Sequence, residues 1–566
     1  MNLWVGFRES FMQPLSRRFV APLVGVFAVV ALWGCGGGGG GTSTSNPSAP
    51  VASSPAPAPA PVTNPPASSA PAAPAPLVQG RYDMGTPVLT TVYVSTTGND
   101  ANDGLSSTTP LRTLTAAWQK VPRGTLASTG YRILLAPGTY PEASLPNYMD
   151  GRRGTRTFPI LITAETAGTV TLAGDLNVFD VHYLYLVNLM IAPQPAGDAL
   201  HCEQCQYLLV RDSVLSGGNR VAQETIKINQ SQHVYVEGND ISGAWDNAID
   251  YVGVQYGHVV GNKIHNAGDW CQYAKGGSAY LRIEGNTYTN CGTGGFTAGQ
   301  GTGFQFMTSP WLHYEAYDIR FINNLVHNVE GAAIGAQGAF NVLFAHNTFY
   351  RIGSRSHVFE AVAGLRSCDG QPGDTGRERC QQYLNAGGWG TTVVDNGSNA
   401  VRIPNRNVLV FNNIFYNPAS APSRWQQFQI FGALSNPASS NVPLDARSDA
   451  GLIMRGNVIW NGPSSHPLGI EDGSACPASH ATCNPTLLVA QNSINALEPQ
   501  LVNAATGDFR ALSGGNVDRL TVHPIPNFAR NELPSAPSVP AGGVDNTVST
   551  NYLGESRNVT NRVGAY

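Results

Sequence analysis

Three things that would place this chain in a familiar class are missing from its 566 residues. There is no surplus of positive charge: 33 Lys and Arg stand against 37 Asp and Glu. The first 35 residues hold Arg8, Arg17, Arg18 and Glu9, so the remainder carries 30 basic and 36 acidic side chains. That balance argues against nucleic acid as a partner held by bulk charge. There is no apolar run long enough to span a membrane, because Phe19 to Trp33 falls short of the roughly 20 residues a helix needs. Helical periodicity is also absent over hundreds of residues, which excludes a helical bundle. Zinc fares little better, since His201-Cys202-x-x-Cys205 has no second ligand pair to complete a site.

What is present begins with an export signal. Arg17 and Arg18 precede the short apolar run, and the run stops at Gly34-Cys35, as in a secretory leader. Met12 would serve equally as its start. Leu32-Trp33-Gly34-Cys35 resembles a bacterial lipobox, which implies lipidation of Cys35; Gly36 lacks the acidic character of an inner-membrane retention signal, so an outer-membrane lipoprotein is expected. A plain cleaved signal is the alternative. Residues 36–78 are Gly, Ser, Thr, Pro and Ala with almost nothing to bury, and read as a disordered tether. Residues 79–566 are then one domain, expected as a monomer. Eight cysteines remain there in near-neighbour pairs: Cys202 with Cys205, Cys271 with Cys291, Cys368 with Cys380 and Cys476 with Cys483. An even set in an exported chain is most simply four local disulfides.

One short pattern recurs along this domain: alternating apolar residues, then Asn, then apolar again. It is centred on Asn239, Asn262, Asn286, Asn324, Asn347, Asn413 and Asn457, with weaker copies at Asn188 and Asp212. Successive spacings are 24, 27, 23, 24, 38, 23, 66 and 44, one period interrupted by insertions. Period-2 strands with a left-handed turn residue once per period describe coiled parallel strands. Coils stack about 4.8 Å apart, so an Asn at the same corner of each can hydrogen bond along the stack. The recurring Asn is therefore structural.

The stretch from Tyr93 to Glu142, with YVSTTGNDANDGLSSTTPLRTLTAAWQKV and YRILLAPGTYPE, resembles the opening of right-handed parallel β-helix proteins of the pectate lyase-like superfamily. LEPQLVNAATGDFRAL and the closing NRVGAY resemble the ends of such chains. The resemblance covers residues 93–566 and implies an all-β right-handed parallel β-helix with a capping helix at Leu114 to Lys120. The fold alone leaves activity open.

Aligning the coils on their Asn corners stacks the pentads GDALH (197–201), QETIK (223–227), DNAID (246–250), CQYAK (271–275) and GTGFQ (301–305). Outward positions then form two columns. One holds His201, Lys227, Asp250, Lys275 and Gln305; the other holds Asp198, Glu224, Asn247, Gln272 and Thr302. Glu224, Asp246, Asn247 and Asp250 converge as hard oxygen donors suited to Ca²⁺. DNAID is similar to the D-D-G-I-D run of family nine pectate lyases, with Asn247 replacing one acid. That resemblance implies a Ca²⁺-dependent polysaccharide lyase cleaving an acidic glycan by β-elimination, with Lys275 as the base and Lys227 in reserve. Like charge from the metal and the second lysine would push the base toward neutrality.

Insertions supply candidate substrate contacts. Trp311, His313 and Tyr314 lie in the aromatic stretch from Gly292 to Tyr317, and Arg355 and His357 in the arginine-rich stretch from Gly353 to Asn405. Three other readings stay open. The lysines and Asp250 would make a salt-bridge ladder holding coils in register; paired carboxyls would hydrolyse a glycosidic bond, although adjacent lysines oppose a protonated acid; or the groove would bind glycan without cleaving it.

Overall fold

The computed structural model describes residues 80–566 except 193–196, 369–374, 394–400, 426, 439, 443–444, 463–469, 471–473, 529–541 and 559–560. The leader, Cys35 and the tether lie outside the described residues. No described helix is long and apolar enough to cross a membrane.

The chain winds into a right-handed parallel β-helix with three parallel sheets of 12, 12 and 10 strands. One coil shows the path. Gln232–Glu237 lies in sheet 1, the chain turns at Asn239, Asp240–Ala244 lies in sheet 2, a bend at Asp246 and Asn247 follows, and Ile249–Val252 lies in sheet 3. Each strand pairs in parallel with its counterparts one coil before and after it. Alternation sends Val234, Val236, Ile241 and Ile249 into a continuous apolar core and leaves the alternate side chains outside. Stacking is obligatory, since a single coil cannot enclose its own apolar face.

The Asn corner closes each coil onto the next. Asn262 Oδ1 accepts from the backbone N–H of Asn239 at 2.9 Å and from Asn239 Nδ2 at 3.0 Å, while Asn262 Nδ2 donates to the Val236 carbonyl at 3.0 Å. The same bonds run through Asn286, Asn324, Asn347, Asn413 and Asn457, and continue to Asn492, which the spacing rule overlooked. The copies at Asn188 and Asp212 are displaced by one residue. They adopt the left-handed conformation (φ 58° and 50°), as do Gly238 and Gly261 just before the ladder asparagines. The ladder position in that coil is Ser213, whose backbone N–H donates to Asn239 Oδ1.

The helix Leu114–Lys120 caps the first coils, begun by Thr113 accepting from Ala116 N–H and buried through Leu114, Ala117 and Trp118. All four cysteine pairs are disulfides as the spacing suggested. The insertions build a side structure. Gly301–Gly303 pairs with Gly364–Ser367, and the fully buried Arg366 is clasped by Glu315 and by the carbonyls of Leu312, His313 and Trp389.

Candidate functional site

The outer face of sheet 3 carries the acid-rich column, and its first three rungs lie where the alignment put them. His201 stands beside Lys227 and Lys227 beside Asp250 in the strand register. The fourth rung differs. Asp250 pairs with Tyr273, whereas Lys275 pairs with Val252, two positions along the strand. The counterpart of DNAID is DWCQY, Asp269 to Tyr273, and the next rung is Thr297, because Phe296 rather than Phe304 enters the core beside Gln272. GTGFQ belongs to the side structure. Gln272 points into the core, accepting from Tyr288 OH at 2.7 Å, and Thr302 donates to Glu315 at 2.6 Å, so neither faces the site.

Lys227 is the centre of the cluster. Its Nζ lies 3.3 Å from Asp250 Oδ2 and 3.6 Å from Glu224 Oε1. Burial would lower the Lys227 pKa, but Asp250, Glu224 and Asp198 together raise it above the usual lysine value. Neutrality is therefore not imposed on this amine. Glu224 is pushed up to about 8 by burial and by the charges of Asp250 and Asp246, against the pull of Lys227. The expectation that adjacent lysines rule out a protonated acid is thus corrected: desolvation and neighbouring carboxylates outweigh one ammonium group. Asp250 Oδ1 is buried without a hydrogen-bond partner. The Tyr273 phenol is held far above its ordinary value by burial and by Asp250, Glu224 and Asp246.

At the bend the carboxyls reach solvent. Asp246 is half-buried and rises to about 6, through burial and then Asp269 and Asp250. Asp269, its counterpart one coil on, is raised by burial; its backbone N–H donates to the Asp246 carbonyl at 3.0 Å, and its charge in turn raises Asp246. Lys275 is also on this face, with Nζ 4.2 Å from the Tyr273 ring centroid and 3.0 Å from Gln300 Oε1, and its charge is felt by both acids. Trp245, immediately before Asp246, is 45% exposed. Asp269, Tyr273 and Trp245 were not singled out from sequence. Counting seven and eleven residues from each Asn corner, which leads from Asn239 to Asp246 and Asp250, leads from Asn262 to Asp269 and Tyr273 and reveals the first two.

The residues do not fit Ca²⁺ as a ready-made site. Asn247 is spent, its Oδ1 accepting from Trp270 N–H at 3.1 Å and its Nδ2 donating to Asp246 at 3.1 Å. Glu224 Oε2 accepts from Asn247 N–H at 2.6 Å, and between Glu224 and Asp250 stands Lys227. Among the described residues, Asp449, His480 and Cys483 alone bring three His, Cys, Asp or Glu ligand atoms within 4.8 Å of one another, and Cys483 is disulfide-bonded.

The insertion residues mostly turn inward. Trp311, Tyr314 and His357 are buried and offer no groove surface, because the long loops need an apolar centre of their own. His313 is lodged against the Gly387 carbonyl and Trp389. Arg355 is exposed, bound to Glu330 and the Gly292 carbonyl, and its charge reaches Asp269, so it alone of this set borders the acids.

The family described as "Right handed beta helix region" matches residues 188–309. No curated protein matches the sequence. Similar solved structures include a pectate lyase, Pel9A (13% identity, 85% of this chain and 97% of that one, TM-score 0.33). A lacto-N-biosidase from Eubacterium ramulus shares 14% identity over 65% of this chain and 67% of its own, with TM-score 0.33. A protein titled glycoside hydrolase shares 8% over 65% and 96%, with TM-score 0.37.

Proposed function

We propose that the outer face of sheet 3 cleaves a glycan by carboxyl acid–base catalysis. The carrying observation is the partly exposed pair Asp246 and Asp269, stacked on adjacent coils and joined through the backbone at 3.0 Å, beside the exposed Trp245. Asp246, raised to about 6 by burial and by the charges of Asp269 and Asp250, is the general acid that protonates the leaving glycosidic oxygen. Asp250, ion-paired with Lys227, is the carboxylate that takes the proton of the water attacking the anomeric carbon, so that the broken bond is replaced by one to water, and Trp245 offers an apolar ring for a sugar face. Charge balance favours a neutral substrate. Asp198, Glu224, Asp246, Asp250 and Asp269 outnumber the two ammonium groups, a surplus of acids that gives an acidic chain no net attraction while Glu224 and Asp246 hold their protons and repels it once they ionise.

That same surplus is the one observation favouring the Ca²⁺-dependent lyase, since a divalent cation would relieve it. One set of digestions separates the two. Neutral and uronate-containing polysaccharides are incubated with the full chain, with Ca²⁺ or chelator, and new reducing ends and the ultraviolet absorbance of unsaturated uronates are followed together. Reducing ends from a neutral glycan, lost in Asp246→Asn, support the hydrolase. Absorbance that needs Ca²⁺ and Lys275 supports the lyase, and no product of either kind removes both.

A further inference from the structure

A second recognition surface lies at the corner where sheet 3 passes into sheet 1, on coils preceding the acid pair. There three successive coils carry the same arrangement: Asp180-Val181-His182, Gln204-Cys205-Gln206 and Gln230-Ser231-Gln232. Asp180, Gln204 and Gln230 adopt the left-handed conformation (φ 52°, 56° and 48°), and the middle residue of each triplet is buried. The outer two side chains of each triplet line a pocket of about 260 Å³. His182 is in register with Gln206, and Gln206 with Gln232, so the rows repeat once per coil.

Among the described residues the amides of Gln204, Gln206 and Gln232 have no hydrogen-bond partner, leaving paired donors and acceptors aimed outward. The pocket's one acid is already neutralised, since Arg153 grips Asp180 through two bonds of 3.2 and 2.5 Å. The loop at Phe306 is tied to one of the pocket's lining residues. Gln230 Nε2 donates to the Phe306 carbonyl at 3.1 Å, and a side chain at Gly253 would meet Thr308 Oγ1, so the loop settles onto this corner where a Cβ is lacking. Phe306, whose carbonyl holds the lining residue Gln230, is 50% exposed, so an uncovered aromatic residue neighbours the pocket.

We propose that this pocket binds a neutral sugar unit of a linear glycan, separately from the acid cluster. Free amides match the mixed donor and acceptor character of sugar hydroxyls, an exposed ring suits an apolar sugar face, and no unpaired charge calls for an ionic ligand. Rows spaced by one coil, roughly 4.8 Å, repeat as the units of a polymer do. This binding does not depend on the cleavage chemistry.

The test is calorimetric titration of the full chain with neutral β-1,4-linked hexasaccharides of glucose, xylose and mannose, and with hexagalacturonate. At least one neutral probe is expected to bind, and Gln206→Ala/Gln232→Ala to weaken it by about tenfold or more. Phe306→Ala, at an exposed position, provides a second reading should the double variant misfold, and is expected to weaken binding as well. Asp246→Asn is expected to change affinity by less than about twofold while abolishing cleavage, so failure of the catalytic reading and failure of this one are told apart. Binding of none of the neutral probes, unchanged affinity in the pocket variants, or loss of affinity in Asp246→Asn would each overturn the proposal.

Discussion

Replacing Glu224 by Gln is expected to stabilise the protein at alkaline pH and to do nothing comparable at acid pH. Glutamine keeps the shape and an acceptor for Asn247 N–H, now 2.6 Å from Glu224 Oε2, while removing the ionisable proton. In the folded protein Glu224 titrates near 8, against an ordinary glutamate value of about 4.5, because burial and the charges of Asp250 and Asp246 oppose its ionisation. The sign follows from proton counting. Between these two values the native state holds a proton that the unfolded state has released, so stability falls as pH rises and the full cost is present above about pH 8. At roughly 1.4 kcal/mol per pH unit the cost is about 3 to 5 kcal/mol. Urea unfolding of wild type and Glu224→Gln at about pH 5 and about pH 9 therefore gives near-equal midpoints at the first and a higher midpoint for the variant at the second. A variant as much or more destabilised at the higher pH than at the lower would refute the account, since it would mean that the ion pair with Lys227 outweighs desolvation and like-charge repulsion.

Other consequences follow from the same geometry. Asp246→Asn should lower turnover by about 10² to 10⁴-fold with KM little changed, and wild-type activity should decline above about pH 6 as Asp246 loses its proton, which a pH–rate profile reads. Asn324→Ala strips the acceptor from Asn286 N–H and the donor from the Ile283 carbonyl, both buried, and one of two acceptors from Asn286 Nδ2; at about 1 to 3 kcal/mol for each of the two orphaned groups the loss is about 2 to 6 kcal/mol in equilibrium unfolding. Trp311→Ala, at a buried position packed with Tyr256, should cost about 3 to 5 kcal/mol and leave KM unaltered, the reverse of a substrate contact. Cys35→Ala should abolish incorporation of a clickable fatty acid if the exported chain is lipid-anchored.

Much of the fold was legible because its instructions are local and repeated. Two-residue alternation fixes which side chains enter the core, and an Asn that must meet its copy one coil away fixes the period. The site was legible only while that alternation stayed clean. QETIK and DNAID each place one apolar residue, Ile226 or Ile249, at the inward position, and their Lys227 and Asp250 pair as read. In the next coil the inward residues are Cys271 and Gln272, so polarity no longer marks the inside and CQYAK mimics QETIK two residues out of register. The aromatic loops failed differently. Composition says that Trp311 and Tyr314 are large and apolar, but whether they cover a ligand or each other depends on the Arg366–Glu315 clasp, a contact across 51 residues that no local pattern carries.

The two ladders of the helix separate structural need from chemical surplus. Asn corners are self-sufficient, as each amide gives and accepts along the stack and leaves little over. The bend column does a similar task with one oxygen per rung: Asp198 accepts from Glu224 N–H at 2.8 Å, Glu224 from Asn247 N–H at 2.6 Å, and Asn247 from Trp270 N–H at 3.1 Å. An amide suffices for that task at Asn247, so the fold does not require the charge at Asp198 or Glu224. Carrying it costs stability, because both acids are raised by burial. Such a charge persists where it is used. Asp250, with one oxygen on Lys227 and the Tyr273 phenol beside it, is the matched acid of the column, which leaves the others in surplus. A simple salt-bridge ladder would match its charges; this column does not, and its unmatched groups gather around the bend where Asp246 and Asp269 reach solvent beside Trp245.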